Sequence, residues 1–356
     1  MDTYFSGFDN INPNSDLEAF LLMRFGNPDA VSMVSGRKYG EALRFESTTP
    51  EGDALTELQH ESTQSRFGIY TGAAFRYSAS IGEEPNLIWG RFCYQPGGEQ
   101  TLENLLRANE GSSLYGYYLF IQNDKLYGTR MGVEPTYICD LEPGKWYYLE
   151  LRANTSSSST HDVFIGGRNM GWFSGQNQMS SGNFAYLGAS PQGVRFDIDD
   201  FYMTYTASVS DTSSVSGVPL MASAKMATMP FTSAFNDWAV ENASSAEEAL
   251  NSPDDNARLT SEETASCIAY VEAPGTEVYG MNLFVRAKDD EDIGTLKYYL
   301  RSTASNNNHE LVGLHSDITD YIHRTYPKWN TGSNNGRSWT ELARTTRLYL
   351  ETGGDS

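Results

Sequence analysis

Two aromatic-rich segments constrain this chain more than any other feature. They are Gly144–Leu151, Gly-Lys-Trp-Tyr-Tyr-Leu-Glu-Leu, and Phe196–Tyr202, Phe-Asp-Ile-Asp-Asp-Phe-Tyr. Both alternate with a two-residue period, which marks β-strands whose two faces meet different surroundings. In the first, Trp146 and Tyr148 share one face while Tyr147, Leu149 and Leu151 share the other. In the second, Phe196 and Ile198 share a face, an acidic pair interrupts, and Phe201, Met203 and Tyr205 resume. Strands of this kind need a sheet packed on at least one side, and the chain between them supplies more strands. The expected fold is an all-β sandwich.

A length of 356 residues exceeds one ordinary core and predicts two domains. The 22 Tyr, 17 Phe and 32 Gly favour strands and tight turns over helix bundles. Net charge is −21, with 14 basic against 25 acidic residues up to Tyr205 and 11 against 21 after it. No basic patch or tail is present to neutralise phosphates, so neither nucleic acid nor an anionic membrane is an expected partner. The opening Met1–Phe5 lacks the basic start and apolar run of a secretory signal, and no stretch has the apolar length of a helical membrane span. Cys93, Cys139 and Cys267 lie far apart without a C-x-x-C spacing. Free, buried thiols in a reducing cytoplasm are therefore expected.

Short strands separated by turns run from Ser6 to about Tyr205, among them Ala42–Glu46, Phe67–Tyr70, Ala73–Ser80, Lys145–Arg152 and Phe196–Tyr205. Gln122-Asn123-Asp124 and Gly166-Gly167 read as hairpin tips. Such spacing predicts a sandwich or jelly roll over residues 1–205. A Ser/Thr/Ala-rich linker is expected over 206–232, followed by a smaller β-rich domain over 233–356 with one or two short helices. Helices are predicted over Asn14–Arg24, Asn236–Leu250 and Glu341–Thr345, the second weakened by Asn242-Ala243-Ser244-Ser245. Strands are predicted over Val278–Ala287, Gly294–Ser302 and His309–Gly313.

The segments Gly36–Gly40 leading into Ala42–Phe45, Gly144–Glu150, Val163–Gly167 and Ile198–Tyr202, in that order, resemble the laminin-G-like, concanavalin-A-like jelly roll. That resemblance implies binding of carbohydrate or protein, often with calcium, and in some members glycan hydrolysis. The last 120 residues are similar to the C-terminal domains of tailed-bacteriophage virion proteins. The matching residues are Pro253-Asp254-Asp255, Val278–Met281, Val285–Asp290, Leu300-Arg301-Ser302, Trp329-Asn330 and Ser338-Trp339-Thr340. The second resemblance implies a virion structural protein assembled in the host cytoplasm: a capsid decoration, a neck or collar appendage, or a tail fibre. Its expected partners are other virion proteins and bacterial surface glycans, and the expected self-association is trimeric.

Candidate chemistry is sparse. A glycanase needs two carboxylates flanking the bond, and the nearest pattern is Glu51, Asp53 and Glu57, whose spacing is one residue too long for an acidic triad on a strand. His60, His161, His309, His315 and His323 offer no His-x-x-x-His pair. No nucleophile elbow or phosphate-cradling glycine loop occurs. Asp197, Asp199 and Asp200 have two readings: oxygen ligands for calcium, which would require a bulge to converge, or acceptors for a neighbouring loop or Arg195. Trp89, Tyr94, Tyr115, Tyr117 and Trp172 flank turns and are candidates for sugar stacking. Asp254-Asp255 and Asp289–Asp292 read as solvated turns. No catalytic, metal or ligand-binding residue is assigned, no cofactor is expected beyond calcium as the alternative, and the chain is expected not to be an enzyme. A carbohydrate-binding module or a glycan-degrading enzyme are the other readings.

Overall fold

The computed structural model describes residues 2–6, 31–37, 40–46, 57–59, 67–83, 86–93, 116–130, 133–153, 159–175, 183–187, 194–206, 230–252, 256–261, 265–271, 280–287, 294–302, 322–329 and 346–354. Two compact units emerge, one holding most of the chain up to Ala227 and the other Thr228–Ser356. Every described strand pairing is antiparallel. Among the described residues the one helix is α1, Ala246–Asn251. The protein is an all-β jelly-roll sandwich with a second, smaller β-rich unit.

The first unit contains an eight-stranded sheet. Its strands are β1 (Asp2–Ser6), β2 (Val31–Ser35), β3 (Glu41–Glu46), β5 (Phe67–Tyr77), β10 (Tyr147–Ala153), β11 (Ser159–Ile165), β12 (Arg168–Gly175) and β14 (Arg195–Thr206). They run in the order β12-β11-β10-β5-β14-β3-β2, with β1 also on β14. A six-stranded sheet is formed by β4 (Glu57–Gln59), β13 (Asn183–Leu187), β6 (Asn86–Cys93), β7 (Gly116–Gln122), β8 (Lys125–Arg130) and β9 (Thr136–Asp140), in that order. Strand β12 packs against β8 and β9, and the Phe173 ring lies where a Cβ on Gly128 would stand, 2.4 Å away. Phe173 therefore fixes the inner face of the large sheet. Phe45, Phe75, Phe196, Ile198, Leu151 and Val163 belong to the core, each no more than 3% exposed.

Both predicted hairpin tips exist. Asn123 and Asp124 have φ of 51° and 55°, and Gly166 and Gly167 have 57° and 81°, the paired left-handed conformations of the tightest hairpin turn. The segments Phe67–Tyr70 and Ala73–Ser80, expected as two strands, form the single strand β5 up to Tyr77. Gly72 is not a turn residue there. The Tyr202 ring occupies the space above it, 2.3 Å from where a Cβ would be.

In the second unit β15 (Phe231–Asn236), β18 (Ser266–Val271), β22 (Thr346–Gly354) and β20 (Gly294–Ser302) form a four-stranded sheet in that order. Two-stranded sheets pair β16 (Ala239–Glu241) with β17 (Arg258–Thr260), and β19 (Gly280–Ala287) with β21 (Ile322–Trp329). Cys267, Ala269, Leu348 and Leu350 form a small core with Phe231, Ala234, Trp238, Leu250 and Leu259 against it. The helix expected from Asn236 begins only at Ala246. Ser245 caps it by accepting from the Glu248 N–H at 3.2 Å, and Glu248 reaches back to Ser244 N–H at 2.7 Å. This reciprocal exchange resembles a capping box shifted by one residue. Cys139 and Cys267 are free and buried, and burial pushes each thiol up to about 11. The predicted elements Asn14–Arg24, His309–Gly313 and Glu341–Thr345 lie outside the described residues.

Candidate functional site

Alternation along β14 sends Phe196 and Ile198 into the core and leaves Asp197 and Asp199 on the outer face of the large sheet. Asp197 is register partner to Arg44 on β3 and to Arg76 on β5, so two cations meet one carboxylate from opposite sides. Arg44 donates through Nε to Oδ1 at 2.7 Å and through Nη2 to Oδ2 at 3.0 Å. Arg76 donates through Nε and Nη2 to Oδ2 at 2.9 and 2.5 Å. The hydrogen bond to Asp197 holds the Arg44 guanidinium above its ordinary pKa. Trp146 lies 4.7 Å from the Arg76 guanidinium as a cation–π partner. Asp197 is 3% exposed, so its charge is compensated by charge-assisted bonds and not by water.

Beyond Asp199 the register of β14 shifts, and Asp200 takes φ 49°. This is the bulge that the calcium reading required, but the acids are otherwise engaged. Asp199 accepts the Arg37 N–H and the Asp200 N–H, both at 2.7 Å. Asp200 holds the Arg37 guanidinium at 2.6 Å. Arg37 lies 5.0 Å above the Tyr148 ring, and burial lifts the Tyr148 phenol well above its usual pKa. Tyr202 donates to Glu150 at 2.8 Å. Among the described residues no group of three His, Cys, Asp or Glu is arranged to hold a metal. The reading of these acids as acceptors for a neighbouring loop fits; Arg195 instead pairs Glu46 at 2.7 Å.

The outer face is more open towards β12. Trp172, Asp162 and Arg152 are successive register partners across β12, β11 and β10, all opposite the core-facing Phe173. Trp172 is 57% exposed. Arg152 donates through Nε and Nη2 to Asp162 Oδ2 at 3.0 and 2.5 Å. A carboxylate has about four acceptor sites, so Asp162 retains capacity for a hydroxyl. An exposed indole beside a fixed polar pair is suited to a pyranose, whose apolar face stacks while its rim forms hydrogen bonds.

The other sugar-stacking candidates fare differently. Trp89 and Tyr117 occupy positions in β6 and β7, while Tyr94 and Tyr115 lie outside the described residues. Glu57 opens β4, and Glu51 and Asp53 lie outside the described residues. His161 is buried in the core, edge-on to Phe173 at 5.3 Å, and His323 stands within β21. The sequence reading missed Tyr137, which is 51% exposed on the unpredicted strand β9. It lies edge-on to Tyr127 at 6.1 Å, and Tyr127 stacks on Phe120 at 5.4 Å.

No known family model matches the chain, and no curated protein matches it. Solved structures do. One is the endo-β-1,4-glucuronan lyase of Trichoderma reesei, at 18% identity over 49% of this chain and 87% of that one, with a TM-score of 0.37. Another is a carbohydrate esterase from the Shiga toxin-encoding bacteriophage phi24B, at 11% identity over 58% and 98%, with a TM-score of 0.38. A third is the alginate lyase Aly36B, at 9% identity over 57% and 96%, with a TM-score of 0.39. At such identities the likeness concerns fold alone. It nevertheless corrects the expectation that the chain is not an enzyme: these similar structures are carbohydrate-acting enzymes, so a sandwich of this type gives no ground for setting catalysis aside.

Proposed function

We propose that this chain is a glycan-engaging component of a tailed-phage particle whose sandwich grips a bacterial surface polysaccharide. The observation that carries the glycan reading is the Trp172–Asp162–Arg152 row, an exposed indole beside an arginine–carboxylate pair in which both guanidinium donors meet one oxygen, on a rigid sheet. Supporting the particle reading are the C-terminal segments that resemble virion proteins, Val285–Asp290 and Ser338-Trp339-Thr340 among them. Many copies on one particle would convert weak single-site affinity into firm attachment.

The test has two arms. The full chain is titrated calorimetrically with host capsular and cell-wall polysaccharides, including polyuronates, while released reducing ends and 4,5-unsaturated products are followed. At least one glycan is expected to bind, and Trp172→Ala is expected to weaken it about tenfold, the loss of one stacked ring. Immunogold labelling of purified particles with antibody to residues 236–356 is expected to mark the head or the tail. No glycan bound by the wild type, or an unchanged affinity in Trp172→Ala, overturns the glycan site. Unlabelled particles from a lysate that contains the protein overturn the particle assignment.

A further inference from the structure

Arg44 and Arg76 turn one edge to Asp197 and the other edge outward. Nε and Nη2 of both guanidinium groups are spent on that single carboxylate. Among the described residues the Nη1 of each finds no acceptor, and neither Nη1 atom is buried. The Asp197 side chain lies beneath them at 4% exposure, against 24% for Arg44 and 30% for Arg76. An approaching ligand therefore meets guanidinium edges and not the acid.

Both Nη2 nitrogens reach the same Oδ2, at 3.0 and 2.5 Å, so the two cations converge although β14 separates their strands. Two cations on one anion leave a positive charge in excess, and the acids nearby are engaged elsewhere. Glu46 pairs Arg195 at 2.7 Å, Asp199 accepts the Arg37 and Asp200 N–H groups, and Asp200 holds the Arg37 guanidinium. The row continues at both ends with groups suited to a sugar. Trp146, half-buried, lies 4.7 Å from the Arg76 guanidinium, and Ser32, exposed, is the register partner of Arg44 on β2. From Trp146 to Ser32 the row crosses β5, β14 and β3, about 19 Å at the spacing of neighbouring strands.

We infer that Arg44 and Arg76 form a carboxylate subsite, in which both Nη1 groups donate to the acid group of an acidic sugar lying along this row. The planar, always-charged guanidinium matches a carboxylate as a lysine ammonium does not. Asp197 already holds both side chains in place, so binding does not have to order them. Trp146 offers an apolar edge to the sugar ring, and Ser32 offers a hydroxyl to its rim. The net charge of −21 repels a densely charged polymer, although salt screens that field within about 8 Å at physiological strength. A glycan with isolated acid groups among neutral sugars therefore fits better than a continuous polyanion. The choice of a sugar rests on the glycan reading above; the carboxylate contact does not depend on Trp172.

Nuclear magnetic resonance of the arginine Nε–H groups in the full chain tests it, because both protons are held by Asp197. The two signals are assigned by their loss in Arg44→Lys and Arg76→Lys, each of which keeps a cation beside Asp197. Glucuronate is expected to shift both signals saturably and glucose to leave them in place. Acetate, a carboxylate without a ring, is expected to act about tenfold more weakly. An oligosaccharide of alternating uronate and neutral sugars is expected to bind about tenfold more tightly than its carboxyl-reduced form. The double variant Arg44→Lys/Arg76→Lys is expected to erase that ratio, and Trp172→Ala to leave it unchanged, which separates failure of this subsite from failure of the glycan site. Signals unmoved by glucuronate, an equal response to acetate, or a ratio that survives the double substitution would each overturn the subsite, whether or not Trp172 engages a glycan.

Discussion

Asp197 shows what one buried carboxylate can do when it is fully compensated. It joins β3, β14 and β5 across their outer face through Arg44 and Arg76. Asp197→Asn keeps the shape and removes the anion, leaving two guanidinium groups facing each other. Breaking such a buried pair destabilises by about 3–5 kcal/mol, whereas Arg76→Lys, at a position 30% exposed, is expected to cost about 1 kcal/mol. Urea unfolding of the two variants checks the ordering, and equal losses would show that Asp197 is not the organising charge. Burial also lifts the phenols of Tyr77 and Tyr148 above their ordinary 10.0, and the thiols of Cys139 and Cys267 from 9.0 to about 11. Above those ordinary values the unfolded chain releases protons that the folded chain keeps. The unfolded state then binds fewer protons, and stability falls as pH rises. The melting temperature is expected to hold below about pH 9 and to decline above about pH 10, with a shallower decline in Tyr148→Phe. A decline of equal slope in that variant would remove Tyr148 from the account.

At the scale of elements, the sequence was most readable where alternation is strong. The strands holding Tyr148–Leu151 and Phe196–Ile198 and the two hairpin tips are found as expected, because period and turn chemistry are local properties. Strand β5 was misread for a non-local reason. Gly72 resembles a turn residue in sequence, yet its lack of a side chain makes room for a ring from β14, 130 residues away in sequence. Gly72→Ala is therefore expected to cost about 2–3 kcal/mol through overpacking, which thermal unfolding will measure; a neutral result would mean the Tyr202 ring moves aside freely. Strand β9 went unseen because Thr136–Asp140 is short, and Tyr137 was missed with it. Trp172 was legible as a candidate from its residue type. Its neighbours Asp162 and Arg152 were not, since the register that brings β10, β11 and β12 together is invisible in one sequence.

At the scale of the whole molecule, the two units draw their buried cores from separate stretches of chain. The first depends on residues such as Phe45, Phe75, Phe173 and Phe196, and the second on the smaller cluster around Cys267, Ala269, Leu348 and Leu350. Among the described residues that cluster removes less apolar area from water than the aromatic interior of the sandwich, and stabilisation scales with that area. Calorimetry of the full chain is therefore expected to show two transitions, with the second unit melting first. Substitutions assign them. Ser245→Ala removes the cap of α1 and is expected to lower the earlier transition by an amount equivalent to about 1 kcal/mol, leaving the later one in place. Gly72→Ala is expected to shift only the later transition. If both substitutions move a single shared transition, the two cores unfold as one cooperative system, and the boundary between the units is one of geometry and not of energy.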